Sequence, residues 1–125
     1  MGKNRVLTGK LEEIVRRIVK VADPDRIILF GSFAYGNPHE ESDIDLLVVM
    51  NSELPRYKRS VPIYKALADL FIPIDIIVYT PQEIEEWSDV PQAFITSILK
   101  KGKVIYEKNK SGPRQRMARE GAARP

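Results

Sequence analysis

Apolar residues recur along this chain with two periods, and the switches between them mark out its elements. Leu11, Ile14, Val15, Ile18 and Val19 fall at i, i+3, i+4, i+7 and i+8, the spacing of one helical face. The spacing predicts a helix over 10–21 with Thr8 as its N-cap. Asp23-Pro24 ends it, because proline disfavours helical geometry in the residue before it. The run IILF up to Phe30 then reads as a short buried strand, with Gly31-Ser32 directly behind it. One helical turn is expected over 33–36, and Asn37-Pro38 marks a loop. Asp43 to Met50 reads as a second strand, whose LLVVM suits a strand covered on both faces.

Further along, Ile63, Ala66, Leu67 and Leu70 give one apolar face to a second long helix over 55–70, disturbed by Pro62. Pro73 to Tyr79 is a third strand. Thr80-Pro81-Gln82-Glu83 has the form of a capping box with proline at the first helical position, so a short helix runs to Trp87. Another opens at Asp89-Val90-Pro91-Gln92 and carries Phe94, Ile95, Ile98 and Leu99, with Gly102 as the residue that stops it. Lys103 to Tyr106 is a fourth strand. There is no internal repeat. The expected order is αββαβααβ, a mixed α/β (α+β) domain with one small sheet of about four strands flanked by helices.

Composition narrows the class. The 125 residues suit a single domain, expected over 5–107. The chain has no cysteine, which excludes disulfides and thiolate metal sites. It has no apolar run long enough to span a bilayer and no signal-peptide pattern at Met1 to Lys10, so a cytoplasmic protein is expected. Charge is unevenly spread. Residues 108–125 hold Lys108, Lys110, Arg114, Arg116, Arg119 and Arg124 against Glu120, a balance of +5 that leaves −2 for residues 1–107 within the +3 total. The basic end is expected to be a disordered, solvated tail. Binding of nucleic acid through it is the weaker reading.

Candidate chemistry lies in Gly31 to Val49, GSFAYGNPHEESDIDLLVV. A glycine between a buried strand and a helical turn lets backbone approach a ligand closely, and N–H groups at such a turn attract phosphate. Ser32 adds a hydroxyl. Asp43 and Asp45, two apart on a strand, share a face. Two carboxylates beside an apolar run repel each other unless a cation lies between them, and oxygen-only ligands suit Mg²⁺. Asp75 sits in IPIDIIVY, a charge inside an apolar strand. It faces the same ions if its strand lies beside the strand of Asp45. The alternatives are exposed carboxylates at a strand end and an Asp75 paired with an arginine or lysine. His39, Glu40 and Glu41 read as loop residues. Tyr57, Lys58 and Arg59 read as a surface basic-aromatic cluster, and Trp87 and Phe94 as core or interface.

Gly31-Ser32, ten residues, then Asp43-Ile44-Asp45, with a single aspartate on a later strand, resembles the DNA polymerase beta-like nucleotidyltransferase superfamily. The short chain resembles its minimal nucleotidyltransferase (MNT) branch, over roughly residues 10–107, and the closing GKVIYE of Gly102 to Glu107 is typical of that branch. The resemblance implies the nucleotidyltransferase fold and transfer of AMP from ATP to an acceptor hydroxyl. It implies that Asp43, Asp45 and Asp75 hold two Mg²⁺ ions and act catalytically, and that Gly31 and Ser32 bind the nucleotide. It also implies a HEPN-family toxin as partner, modified on a tyrosine by its antitoxin. One departure stands out: Tyr35 occupies a position where many members carry arginine. The alternative is a nucleotide-binding antitoxin that neutralises its partner by stoichiometric binding without catalysis.

Overall fold

The computed structural model describes residues 2–35, 43–90 and 93–108, with side chains left undescribed for residues 2–8 and Tyr35. Helix α1 (Gly2–Ala22) leads into strand β1 (Arg26–Phe30), the single turn α2 (Ser32–Tyr35) and strand β2 (Ile44–Val49). Helices α3 (Arg56–Arg59) and α4 (Val61–Leu67) and a 3-10 turn (Ala68–Leu70) connect β2 to strand β3 (Ile74–Tyr79). Helices α5 (Pro81–Trp87) and α6 (Phe94–Lys101) then precede strand β4 (Lys103–Glu107). The four strands form one mixed sheet in the order β3-β2-β1-β4. β1 pairs antiparallel with β2 and with β4, and β2 pairs parallel with β3. The expected small sheet flanked by helices is what forms.

Alternation along the strands sorts the core into two layers. On one face Ile27, Leu29, Ile44, Leu46, Val48, Ile76 and Val78 pack with Ile14 and Ile18 of α1 and Ile63 and Leu67 of α4. On the other, Ile28, Leu47 and Val49 pack with Ile84 of α5 and Ile95 and Ile98 of α6. Because helices cover both faces, Leu46 to Val49 are all buried, which is why that stretch reads as an unbroken apolar run. β3 lies at the edge of the sheet. Two of its outward groups are satisfied by side chains: the Ile76 N–H donates to Tyr64 Oη at 2.8 Å and Arg59 Nη1 donates to the Val78 carbonyl at 3.3 Å.

Several local expectations need correction. α1 starts at Gly2, so Thr8 lies within the helix and does not cap it. The expected helix over 55–70 is broken into α3, α4 and a 3-10 turn, and Pro62 sits in the first turn of α4. There its missing N–H costs no hydrogen bond. Gly102 does not adopt the left-handed geometry of a glycine stop, having φ −73° and ψ 169°. Glycine is needed there for contact: a Cβ would stand 2.6 Å from Ile28 Cγ2 and 2.7 Å from the Ile98 carbonyl oxygen. The capping box forms as read, with Glu83 N–H donating to Thr80 Oγ1 at 3.1 Å and Thr80 N–H donating to Glu83 Oε1 at 2.9 Å. Asn37-Pro38, His39, Glu40, Glu41, the Pro91-Gln92 step and the tail beyond Lys108 lie outside the described residues.

Candidate active site

The parallel pairing of β2 with β3 puts Asp45 directly beside Asp75. Paired residues of neighbouring strands point to the same face, here the face that carries Leu47, Val49, Ile77 and Tyr79 under α5 and α6. On the other side of Asp45 its partner across the antiparallel pair is Phe30, and Gly31 follows at once. Asp43 precedes Asp45 by two residues. Asp43 and Asp75 are exposed, while Asp45 is half-buried.

These carboxylates act on one another electrostatically. Burial pushes the Asp45 carboxyl above the ordinary aspartate range, and the negative charges of Asp75 and Asp43 push it further in the same direction. No ion pair among the described residues involves any of the three. The alternative of an Asp75 neutralised by arginine or lysine is therefore not what the described residues show. As the side chains stand, no three His, Cys, Asp or Glu groups among the described residues close around a common point.

Gly31 completes the corner. Its φ of +78° lies in the left-handed region, which costs an L-residue side-chain strain. A Cβ built there would collide with Asp45 Oδ2 and stand 3.1 Å from its Cγ. The backbone at the end of β1 therefore lies against the carboxylate of β2, and only glycine permits it. Ser32 opens α2, and the Ala34 N–H donates to the Gly31 carbonyl at 3.0 Å. The structure thus brings Gly31, Ser32, Asp43, Asp45 and Asp75 together at one end of the sheet. The donors are of the chemical kind a hard divalent cation takes, carboxylate oxygens only, while the described side chains as placed do not close around one.

The cluster Tyr57-Lys58-Arg59 divides into two parts. Tyr57 and Lys58 are exposed, as read, but Arg59 is one of the buried side chains. Arg59 Nη1 lies 2.7 Å from Glu83 Oε1, Nη2 lies 3.2 Å from Oε2, and Nε donates to the Leu54 carbonyl at 2.9 Å. The Arg59 guanidinium, helped by the Thr80 N–H, holds the Glu83 carboxyl at about 2, far below its usual range. Arg59 is a structural cation joining α3 to β3 and α5. Phe94, expected in core or interface, is 62% exposed, with its ring edge-to-face against Phe30 at 5.9 Å between centroids. A pocket of about 630 Å³ between α1 and β4 lies on the opposite face and is lined by none of the three aspartates. Its size carries no weight against the chemistry of the acidic corner.

Comparison with known proteins places the fold and the family. The described helices include none long and apolar enough to cross a membrane. In fold, the chain is similar to a nucleotidyltransferase structure from Sulfolobus solfataricus, with a TM-score of 0.58, 21% identity, and coverage of 80% of this chain and 79% of that one. It is similar also to a toxin–antitoxin structure solved with AMP-PNP, with a TM-score of 0.56, 20% identity, and coverage of 80% and 75%. Among sequences, a "putative protein adenylyltransferase" of Methanocaldococcus jannaschii is 33% identical over 84% of this chain and 75% of its own length. A second protein of that name and organism is 41% identical over 43% of this chain, which spans only 54% of that relative's length. The family model for polymerase beta nucleotidyltransferases matches residues 12–111, and the chain therefore belongs to that family of nucleotidyl-transferring enzymes.

Proposed function

We propose that this protein transfers AMP from Mg-ATP to a hydroxyl of a partner protein in the cytoplasm, the acceptor being a tyrosine of a HEPN-family toxin that the reaction silences. The observation that carries the reading is the convergence of Asp45 with Asp75, beside Asp43 and against Gly31. The folded unit is proposed to be residues 5–107, with the basic tail outside it.

Asp43, Asp45 and Asp75 would hold two Mg²⁺ ions, which when bound supply charge neutralisation for the transferring phosphoryl group. The chain's own groups do the rest. The Gly31 and Ser32 N–H groups and the Ser32 hydroxyl donate hydrogen bonds to the triphosphate. Asp75, exposed at the outer flank, orients the acceptor hydroxyl and takes its proton. The acceptor oxygen bonds to the α-phosphorus, the bond from that phosphorus to the β-bridging oxygen breaks, and pyrophosphate leaves. Such transfers depend on positioning and electrostatics, so neither histidine nor cysteine is required.

Two features support the toxin as acceptor: the "protein adenylyltransferase" names among relatives and the fold shared with a toxin–antitoxin structure. The competing reading, neutralisation by stoichiometric binding without turnover, draws on Tyr35 standing where many members of the resembled superfamily carry arginine. Incubation with Mg²⁺, labelled ATP and a HEPN-family partner protein separates the two. Transfer gives an AMP-sized mass increment on a partner tyrosine that disappears in Asp45→Asn. Neutralisation that persists in Asp45→Asn, with no increment in the native protein, rejects transfer.

A further inference from the structure

We infer that the groove running along β3 from the acidic corner, between α3 and the start of α6, is the acceptor subsite. It fits an extended partner segment bearing a tyrosine with acidic residues about four positions away. The inference rests on the transfer reading above and adds the chemistry of the segment that is modified.

Strand order sets the direction of approach. Gly31 follows β1, Asp45 lies on β2 and Asp75 on β3, so β1 and β3 flank the central carboxylate on opposite sides. In an in-line displacement the entering and leaving oxygens stand on opposite sides of phosphorus. With the triphosphate held at Gly31, pyrophosphate leaves on the β1 side and the acceptor hydroxyl enters over β3.

A pocket of about 280 Å³ lies there, lined by Arg56, Tyr57, Ile77, Tyr79 and Phe94 among others. Ile77 and Tyr79 continue the face of Asp75 along its strand, two and four residues further on. Phe94 touches Phe30, the cross-strand partner of Asp45, so it stands at the acidic end. Tyr57 is 77% exposed and Phe94 62% exposed. Large aromatic side chains left in water beside an active site are the kind of surface that receives a partner.

The charges give the groove a polarity. Asp75 lies just beyond one end, two residues before the lining residue Ile77 on β3. At the other, the Arg56 guanidinium lies 4.6 Å over the Tyr79 ring with one nitrogen 3.4 Å from Glu83 Oε2, and the Lys58 ammonium lies 5.8 Å from the Tyr57 ring. An aromatic hydroxyl suits the acidic end with its exposed Phe94, where a carboxylate would be repelled. Carboxylates suit the cationic end. From Asp75 to Tyr79 an extended chain covers about 13 Å, which sets the spacing of about four residues.

The test uses the full chain with Mg²⁺ and a non-hydrolysable ATP analogue. Two labelled peptides are compared by fluorescence anisotropy: Glu-Glu-Ala-Ala-Tyr-Ala-Ala-Glu-Glu and its counterpart with lysine in place of each glutamate. The acidic peptide is expected to bind about tenfold tighter or better. The double variant Arg56→Ala/Tyr57→Ala and the single variant Phe94→Ala should each lose about tenfold in peptide affinity while binding the ATP analogue as before. All three side chains are substantially exposed, so the fold should persist, and unchanged circular dichroism checks this. Equal affinity for the two peptides, no binding of either, or a loss confined to the ATP analogue would overturn the inference. AMP transfer to the acidic peptide, followed in parallel with ATP, separates the two claims. Groove-dependent binding without transfer leaves the subsite standing and counts against the transfer reading. Transfer indifferent to the groove variants does the reverse.

Discussion

Two regions of this molecule place charge against an apolar sheet, and they resolve it in opposite ways. At the back of β3, Arg59 is buried, but Glu83, the Leu54 carbonyl and the Val78 carbonyl occupy its donors. Its charge is satisfied inside the fold, and Glu83 is held ionised well below its usual range. At the front of the sheet, Asp45 is half-buried with Asp75 beside it and Asp43 close by. There the charges share a sign, and the Asp45 carboxyl is pushed up. The first region gives up solvation and recovers it from designed partners. The second keeps an excess of negative charge that a bound cation would relieve. Charge balanced within the chain marks a structural role, and charge left unbalanced marks the candidate for a functional one.

The comparison breaks most visibly at Asp45. Replacing it by Asn should reduce AMP transfer by about 10³-fold or more, measured as label incorporated per minute. In the absence of divalent cation the same change should raise stability by about 1 kcal/mol, because it removes a repelled, part-buried charge. A drop in stability would mean that Asp45 is balanced in the fold after all.

Arg59→Met should do the opposite, costing about 3 kcal/mol of stability, since Glu83 would be left partly buried with only the longer contact to Arg56 at 3.4 Å. Urea unfolding reports it. The pH dependence follows from Glu83. Its folded pKa is depressed, so its contribution is fully present above the unfolded value of about 4.5 and is lost as pH falls through the folded value of about 2. Native protein should lose stability across that window, and Arg59→Met should lose less over the same range.

Gly31→Ala sharpens the contrast at smaller scale. The left-handed backbone alone costs about 1 kcal/mol or more, and the new methyl drives into the Asp45 carboxylate. Stability should fall by about 2 kcal/mol, and transfer should fall by more than the lost stability accounts for, because Asp45 is displaced.

Much of this was legible in the chain because its signals are local. LLVVM announces a strand covered on both sides, Thr80 to Glu83 announces a helix start, and the Gly31-Ser32 and Asp43-Ile44-Asp45 spacing points to the nucleotidyltransferase family. What was not legible depends on partners far away in sequence. Arg59 looks like surface until Glu83, across the connection from α3 to α5, is brought to it. The adjacency of Asp45 and Asp75 depends on a parallel register that no local pattern specifies. Gly102 is explained by Ile28 on β1, not by its own helix end. The start of α1 was missed because Gly2, Thr8 and Gly9 are poor helix formers, and Thr8 has the chemistry of a cap. Tertiary contact with α4, including Arg17 donating to the Ala66 carbonyl at 3.1 Å, anchors the helix downstream of that weak stretch. Phe94 carried no distinguishing signal, since an aromatic residue beginning an apolar helix face reads as core.

The central claim is that the negative charge of Asp45 is answered from outside the chain by a divalent cation bound with nucleotide. Thermal unfolding of native and Asp45→Asn protein, with and without Mg²⁺ and a non-hydrolysable ATP analogue, tests it directly. The account predicts a rise of several degrees in the native protein on adding both and none in Asp45→Asn. An equal rise in the two proteins, or none in either, would contradict it.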